Sequence, residues 1–289
     1  MKHSGGHSMS APIRHVLVCA PRTAGFEAPS RWTELGYLHE PRLEGALEGH
    51  RRLVEVLHQV GASVHELRRR EGLSLDAIYA HDASFPTDAG VILMRMGKPT
   101  RSGEPAQHRH FFEELGVPIL GAIEPPGTTE GGDLVWLDET TLLVGEGYRT
   151  NASGIKQLDA LLAPRGIRVL SSSLPHGPGP AGCLHLMSLL SLLDERTALV
   201  DLPWLSVPTV QELERRRFEL VPIEPSERET LAVNVLALGG RKLLALAENE
   251  KTNRRLMDAG FEVLTYPGVE ISLNGSGGPT CLTRPFLRG

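Results

Sequence analysis

The sequence has few of the features that mark secreted, membrane or nucleic-acid-binding proteins. Its 289 residues include only three cysteines, Cys19, Cys183 and Cys281, and their wide, unpatterned spacing argues against a disulfide framework or a zinc knuckle. The apolar runs are strand-sized, far below the ~20 residues of a membrane helix. With 30 basic and 35 acidic residues, a net charge of −5 and no basic stripe, nucleic acid is not expected as a partner. These absences predict a soluble, cytoplasmic, globular protein.

Targeting and nucleotide-binding motifs are also missing. The first ten residues, MKHSGGHSMS, lack the apolar run of a signal peptide, and residues 1–12 are predicted to form a disordered tail. No GxGxxG follows a predicted strand and no GxxxxGK[ST] occurs, which weakens any nucleotide-binding interpretation.

A helix-like stretch, a helix-ending glycine and a short apolar strand recur along the chain. The glycines are Gly61, Gly116, Gly166 and Gly260, and Arg217 stands in place of glycine in a further copy. Glycine just past a helix favours the left-handed conformation that ends the helix. The spacings of 55, 50, 51 and 43 residues between copies indicate a propeller or a repeat array.

Strand-like segments precede each helix-like stretch. They cover residues 13–20, 90–95, 133–144 (two strands around a turn at 138–139), 184–193 with 197–202, and 231–238 with 242–247. A last strand near 271–273 or 281–283 would close the ring. The unit is therefore β-β-α-β, and its doubled strand does not fit a simple parallel sheet. The pattern predicts an α/β fold, a five-bladed α/β propeller with pseudo-fivefold symmetry, forming one domain over 13–289. The alternative is a doubly wound α/β domain whose repeats are coincidental.

Polar residues cluster where the predicted strands begin. The four clusters are HDASFPTD at 81–88, TEGGD at 129–133, GCLHL at 182–186 and NGSGGPTC at 274–281. In a propeller, polar residues at strand ends converge on the central axis, so we expect these clusters to lie together.

The residue types in these clusters suit attack on a cationic carbon. A cysteine on a glycine-rich loop is a nucleophile when neighbours stabilise its thiolate, and histidine moves protons near neutral pH. Carboxylates accept paired hydrogen bonds from a planar guanidinium. The set therefore indicates cysteine attack on a bound guanidinium, loss of an amine and hydrolysis.

These residues resemble a known family. From about residue 13 to 286 the chain is similar to the guanidino-group-modifying (pentein) superfamily, and most of all to its dimethylarginine dimethylaminohydrolase branch. The matching motifs are FPTD at 85–88, KPTRSGE at 98–104, PGTTEGGD at 126–133, GEGYRTN at 145–151, LHL at 184–186 and GGPTCLT at 277–283.

The resemblance implies a role for each matched residue. Cys281 matches the nucleophile and His185 the general acid/base. Glu130 and Asp88 match the carboxylates at the guanidinium end, with Asp88 close to His185.

The same resemblance also covers the amino-acid end of the substrate. Asp82 matches the acid that holds the α-ammonium group, and Arg101 and Arg149 match the arginines that clamp the α-carboxylate. It further implies a catalytic domain without metal or organic cofactor and a small-molecule guanidino substrate. Sheet edges of such propellers often pair, so a homodimer is the assembly to test.

Each of these residues could instead have an ordinary structural role. Cys281 could be a buried thiol and His185 a core histidine. Asp82 and Asp88 could stabilise Asx turns, and Glu130 could belong to a turn.

Two departures from the family bear on the substrate. Deiminases of the superfamily carry an acid two residues after the histidine, where this chain has Met187; an apolar residue there could leave room for N-methyl groups. Thr87 stands where dimethylarginine hydrolases carry glutamate, and the GGPTC loop resembles arginine deiminase equally well.

We therefore expect hydrolysis of Nω-methylated L-arginine to citrulline and methylamine or dimethylamine. The alternatives are an arginine deiminase, an amidinotransferase, and a propeller that binds cationic amino acids without catalysis.

Overall fold

Five three-stranded sheets make up the computed structural model, which describes residues 4–68, 71–180, 182 and 184–289. The strands are β1 Ile13–Val18, β2 Ser63–Glu66, β3 Ser84–Thr87, β4 Gly90–Leu93, β5 Ile119–Ala122, β6 Leu134–Asp138, β7 Thr141–Glu146, β8 Arg168–Ser173, β9 Leu190–Leu192, β10 Thr197–Val200, β11 Glu219–Pro222, β12 Leu236–Gly239, β13 Lys242–Leu246, β14 Glu262–Tyr266 and β15 Thr283–Arg288. The helices are α1 Trp32–Leu35, α2 Leu43–Gln59, α3 Glu104–Glu114, α4 Ala152–Leu162, α5 Val207–Arg215 and α6 Glu250–Asp258. Among the described residues, no helix combines the length and apolar character needed to span a membrane.

Each sheet repeats one connectivity. In the second sheet, β4 pairs antiparallel with β3 and, after α3, parallel with β5. The sheets β6-β7-β8, β9-β10-β11 and β12-β13-β14 follow the same plan. In the first sheet the outer strand is β15, which pairs antiparallel with β1, so the C-terminus closes the ring. The predicted propeller of β-β-α-β repeats is confirmed.

The helix-ending glycines adopt the conformation that the sequence predicts. Gly61, Gly116, Gly166 and Gly260 have φ between 72° and 85°. Arg217, in the copy without glycine, also has a positive φ of 62°. A residue with a side chain is strained in this left-handed conformation. The turn therefore forms at Arg217 despite a local cost in conformational energy.

The largest differences in extent between predicted and observed strands concern three of them. The last strand begins at Thr283, and residues 269–273 form a helical turn instead. The predicted strand at 184–193 is reduced to β9, because Leu186–Ser188 form a 3-10 turn that Ser188 and His185 stabilise as a capping box. The strand expected at 231–238 starts only at Leu236, after a turn in which Leu231 has φ 61°.

The core lies between the sheets and their helices. All four residues of β4 are buried, as are Leu142, Leu143 and Val144 of β7, which agrees with central strands covered on both faces. Burial on both faces explains why these strands read as continuous apolar runs rather than as an alternating pattern.

The N-terminal segment packs against the propeller. The sequence predicted a disordered tail over residues 1–12, whereas the structure places residues 4–12 beside β15 and the β3–β4 hairpin. The Gly5 N–H donates to the Phe286 carbonyl at 2.8 Å, and the ring of His7 stacks on Trp136 at 4.1 Å. These backbone and ring contacts, which amino-acid composition does not encode, order the segment.

Candidate active site

One cavity gathers five of the seven residues singled out in the sequence. It has a volume of about 110 Å³, and Leu35 of α1 forms part of its wall. Its lining consists of Leu35, Gly36, Asp76, Tyr79, Asp82, Lys98, Arg101, Arg149, Gly182, His185, Gly275, Ser276, Gly277 and Cys281. The four strand-end clusters therefore converge as predicted, although Glu130 and Asp88 are not part of the cavity lining.

Glu130 lies directly behind the cavity, against His185. The Nε2 atom of His185 is 2.8 Å from Oε2 of Glu130, and both side chains are buried. The other oxygen, Oε1, accepts the backbone N–H groups of Gly97 and Lys98 at 2.9 and 3.0 Å. Burial alone raises the pKa of Glu130, but the hydrogen bond and the charge of His185 outweigh it and lower the pKa. Glu130 is therefore held as a carboxylate that orients the imidazole.

Asp82 shares this buried cluster, which favours the guanidinium end over the amino-acid end that the resemblance implies. Its Oδ1 accepts the Gly132 N–H at 2.9 Å, and its Oδ2 is 2.6 Å from Nη1 of Arg101. Side-chain atoms of Asp82, Glu130 and His185 lie within 4.8 Å of one another. Burial raises the pKa of Asp82, but the charges of Arg101 and His185 outweigh it and hold the pKa below its usual value.

Gly132 makes this cluster possible. A Cβ atom at this position would come within 2.5 Å of Nδ1 of His185 and 3.1 Å of Oδ1 of Asp82. The second glycine of TEGGD therefore provides the space in which the imidazole approaches the two carboxylates.

Asp88 lies outside this cluster, and its predicted contact with His185 is wrong. It is exposed at the β3–β4 hairpin, where its carboxylate accepts the Gly6 N–H at 2.8 Å. The four-residue strand β3 separates Asp88 from Asp82. The turn sequence Asp88-Ala89-Gly90 explains the placement, because Gly90 has φ 125° and closes the hairpin.

Arg101 is engaged within the protein, which the clamp predicted from the resemblance did not anticipate. Its guanidinium makes two 2.8 Å contacts with Glu104, one of 2.6 Å with Asp82 and one of 2.9 Å with the Tyr79 carbonyl. Four of its five N–H donors are thus used within the protein. Arg101 therefore mainly holds Asp82 in place, and it is not a free guanidinium that could clamp the α-carboxylate of a substrate.

Two less tightly held cations line the same cavity. Arg149 is 3.6 Å from Oε1 of Glu130 and donates to the Gly182 carbonyl at 3.4 Å. Lys98 Nζ is 2.6 Å from Oδ2 of Asp76 and donates to the Leu35 carbonyl at 2.7 Å. Lys98 and Asp76 thus place a cation and an anion together beside α1.

Cys281 lies at the start of the segment that leads into β15. Its Sγ is 3.0 Å from Nδ2 of Asn234, and its backbone carbonyl accepts the His81 N–H at 3.1 Å. Unlike Cys281, Cys19 is fully buried, and burial raises the pKa of its thiol far above the ordinary value. Cys183, the remaining cysteine, lies outside the described residues.

The expectation that Met187 leaves room for methyl groups beside the guanidinium does not hold in this geometry. Met187 is buried in the core that includes Val135 and Leu190. It lines a second cavity, of about 40 Å³, together with Trp136 and the N-terminal segment. The two cavities have no lining residue in common. Leu186, between His185 and Met187, begins a 3-10 turn, which directs the two side chains into different cavities.

Sequence reasoning missed Asp76, Tyr79, Lys98 and Asn234. Lys98 is the first residue of the KPTRSGE motif, but the motif did not indicate that its side chain lines the cavity. Tyr79 is buried, and burial raises its pKa well above that of an ordinary tyrosine, so it stays a neutral phenol. Asn234 stands in the segment 231–238, which was predicted to be a strand, and Asp76 lies where no element was predicted, so no local pattern marks either residue.

Asp82, Glu130 and His185 are close enough together to hold a metal ion. However, each of the four carboxylate oxygens already has a hydrogen-bond or ion-pair partner, namely Gly132, Arg101, Gly97 with Lys98, and His185. With these oxygens engaged and the Arg101 cation paired to Asp82, the cluster does not favour a bare metal ion.

Comparison with known proteins supports one family. A model of the family described as "N,N dimethylarginine dimethylhydrolase, eukaryotic" matches residues 32–288. The N(G),N(G)-dimethylarginine dimethylaminohydrolase of Streptomyces coelicolor is 32% identical over 209 residues, covering 72% of this chain and 73% of that protein. The arginine deiminase of Listeria innocua is 26% identical over 253 residues, covering 73% of this chain and 61% of that enzyme.

A solved structure shares the fold. The dimethylarginine dimethylaminohydrolase of Pseudomonas aeruginosa, as a cysteine-to-serine mutant in complex with citrulline, superposes with a TM-score of 0.77 at 23% identity. The match covers 95% of this chain and all of that one. At this identity the likeness concerns the fold, and the chemistry must be argued from the residues above.

Proposed function

Because the chain belongs to the dimethylarginine dimethylaminohydrolase family, we propose that it hydrolyses the guanidino group of Nω-methylated L-arginine. The products are L-citrulline and methylamine or dimethylamine. The reaction class is hydrolysis of a C–N bond in a linear amidine, with Cys281 as the nucleophile.

The observation that carries the proposal is that Cys281 and His185 line one cavity together with side chains of both charges. Asp82 lies beside His185, with Glu130 behind, at the end that suits a guanidinium. Arg149 and Lys98 supply cations for an α-carboxylate, and Asp76 an anion for an α-ammonium group. L-arginine derivatives carry charges of these signs at their two ends.

The first half of the reaction forms a covalent intermediate. Asp82 accepts hydrogen bonds from the guanidinium and fixes its plane, and the Cys281 thiolate attacks the central carbon to form a C–S bond. His185 gives a proton to the departing nitrogen, so the C–N bond breaks and the amine leaves. Glu130 holds the imidazole in place and stabilises its charged form. The enzyme then carries an S-alkylthiouronium group.

The second half restores the enzyme. His185, now neutral, accepts a proton from a water molecule while that water attacks the same carbon. The C–S bond breaks, its electrons return to the Cys281 sulfur, and the ureido product leaves. The overall reaction consumes one water and leaves the released amine protonated.

Arginine itself is the second candidate substrate, and the specific reason is the placement of Met187. Its side chain faces the second cavity, so the argument for methyl-group space at that position is lost. The arginine deiminase relative points in the same direction. An amidinotransferase reaction would use the same first half and replace water with an amine.

A ureido colour assay on purified protein tests the proposal. The substrates are asymmetric dimethylarginine, monomethylarginine, L-arginine and agmatine, each with C281S as control. Product from the methylated substrates, absent in C281S, is the expected result, with little or none from agmatine, which lacks both the methyl groups and the carboxylate. Product from arginine alone would assign the chain to deimination. No product from any substrate would overturn the hydrolase proposal.

A further inference from the structure

Asn234 connects the nucleophile to the loop that carries it. It lies in the turn before β12 and is 6% exposed. Its Oδ1 accepts the Thr280 backbone N–H at 3.0 Å, and its Nδ2 is 3.0 Å from Sγ of Cys281. One amide therefore holds both the backbone and the side chain at the point of reaction.

The Thr280 contact fixes which way the amide faces. A backbone N–H can only donate, so the amide atom opposite Thr280 must be the oxygen. The NH₂ group is then the end that faces Cys281. Sulfur must accept this hydrogen bond, and a thiolate accepts it more strongly than a neutral thiol.

Gly278 provides the room for this arrangement. A Cβ atom there would lie 2.6 Å from both Cγ and Oδ1 of Asn234. The second glycine of the GGPTC loop thus permits the amide to pass beside the loop backbone and reach the sulfur.

We propose that Asn234 is a positioning residue that keeps the Cys281 sulfur aimed into the cavity and favours its thiolate form. The inference rests on the proposed function only in taking Cys281 as the nucleophile.

The test is the pH dependence of Cys281 alkylation by iodoacetamide, because only the thiolate reacts. The proteins are the wild type, Asn234→Ala and Asn234→Asp, with C281S giving the background from Cys19 and Cys183. Asn234→Asp keeps an acceptor for Thr280 but places a negative charge beside the sulfur. Asn249→Ala is the matched control, because Asn249 bridges to Thr230 in the same manner without contacting Cys281.

We expect the alkylation midpoint to rise by about one pH unit in Asn234→Ala, and further in Asn234→Asp, which slows alkylation at lower pH about tenfold or more. Asn249→Ala should keep the wild-type midpoint. With an active substrate, kcat should fall about tenfold or more in both Asn234 variants while KM stays within about twofold. Unchanged midpoints in both Asn234 variants would overturn the proposal.

A measurement on the wild type tests the proposal even if the Asn234 variants fail to fold. The side-chain amide NMR signal of Asn234 should shift with the same midpoint as Cys281 alkylation, and a signal indifferent to that titration would overturn the proposal. Neither readout needs turnover. A wild type that forms no ureido product but shows the linked titration would reject the proposed reaction and retain the role of Asn234.

Discussion

The Nε2 atom of His185 and the Oε2 atom of Glu130 lie 2.8 Å apart in a buried contact. Two backbone N–H groups, from Gly97 and Lys98, hold the other Glu130 oxygen, so the carboxylate cannot turn away. Proton transfer through His185 therefore depends on a partner that is itself fixed by the backbone.

Replacing Glu130 with glutamine should lower kcat by about 100-fold or more, because the amide can keep the backbone contacts but loses the charge that orients and stabilises the imidazolium. Steady-state kinetics on the best substrate gives the value. Glu270→Gln is the control, since Glu270 is also buried and ion-paired, to Arg42, but lies outside the cavity lining. Equal losses in the two variants would show that the Glu130 effect is a loss of packing.

Removal of the charge should affect activity strongly at Asp82 and little at Asp88. Asp82→Asn should lower kcat/KM by about 100-fold or more, since Asp82 contacts the cavity and supports the His185 cluster. Asp88→Asn should stay within about threefold of the wild type, because its contacts are with the N-terminal segment. Steady-state kinetics on both variants measures these effects. A large loss of kcat/KM in Asp88→Asn alone would support the assignment of Asp88 to the guanidinium end, close to His185.

The sequence could not separate these two acids. Both lie in HDASFPTD, six positions apart, and an extended segment of that length spans up to ~20 Å. The motif shows that one end of β3 approaches the site, but which end depends on how the strand runs in its sheet. The repeat glycines were easier to predict, because a helix end is a local feature with a local conformational requirement.

A long-range contact explains one of the other misses, and a short turn explains the second. Asn234 reaches Cys281 across 47 positions, and the apolar residues around it indicated a strand. Met187 faces away from the cavity because the 3-10 turn after His185 changes its direction. Neither relationship has a signature within a short window of sequence.

Asp133 should make stability fall as the pH rises. It is fully buried, and burial raises its pKa to about 6 despite hydrogen bonds from Thr150 and the Leu186 N–H. Above the unfolded-state pKa of about 3.8 the unfolded chain releases this proton first, so the folded state loses about 3 kcal/mol between pH 4 and 6.

Asp133→Asn removes this titration and keeps the shape of the side chain. Its free energy of unfolding relative to the wild type, from urea titrations at pH 4 to 7, should therefore increase with pH. A difference that stays constant across this range would mean that Asp133 is ionised throughout.

Arg217 marks a repeat in which glycine would be the better residue. Arg217→Gly should raise the free energy of unfolding by about 0.5–1 kcal/mol, because φ at this position is 62°. Gly61→Ala, at φ 82° where an added methyl group would meet open space, should lower it by about 1 kcal/mol through backbone strain alone. Urea unfolding of both variants checks the pair, and destabilisation by Arg217→Gly would show that the arginine makes compensating contacts.

The most direct test of the account is to trap the intermediate on Cys281. Wild-type protein is mixed with asymmetric dimethylarginine or L-arginine, quenched in acid within the first turnover and examined by intact-protein and peptide mass spectrometry. We expect an added mass equal to the substrate minus its departing amine, located on Cys281 and absent in C281S. Ureido product without any adduct on Cys281, or an adduct on another residue, would contradict the mechanism.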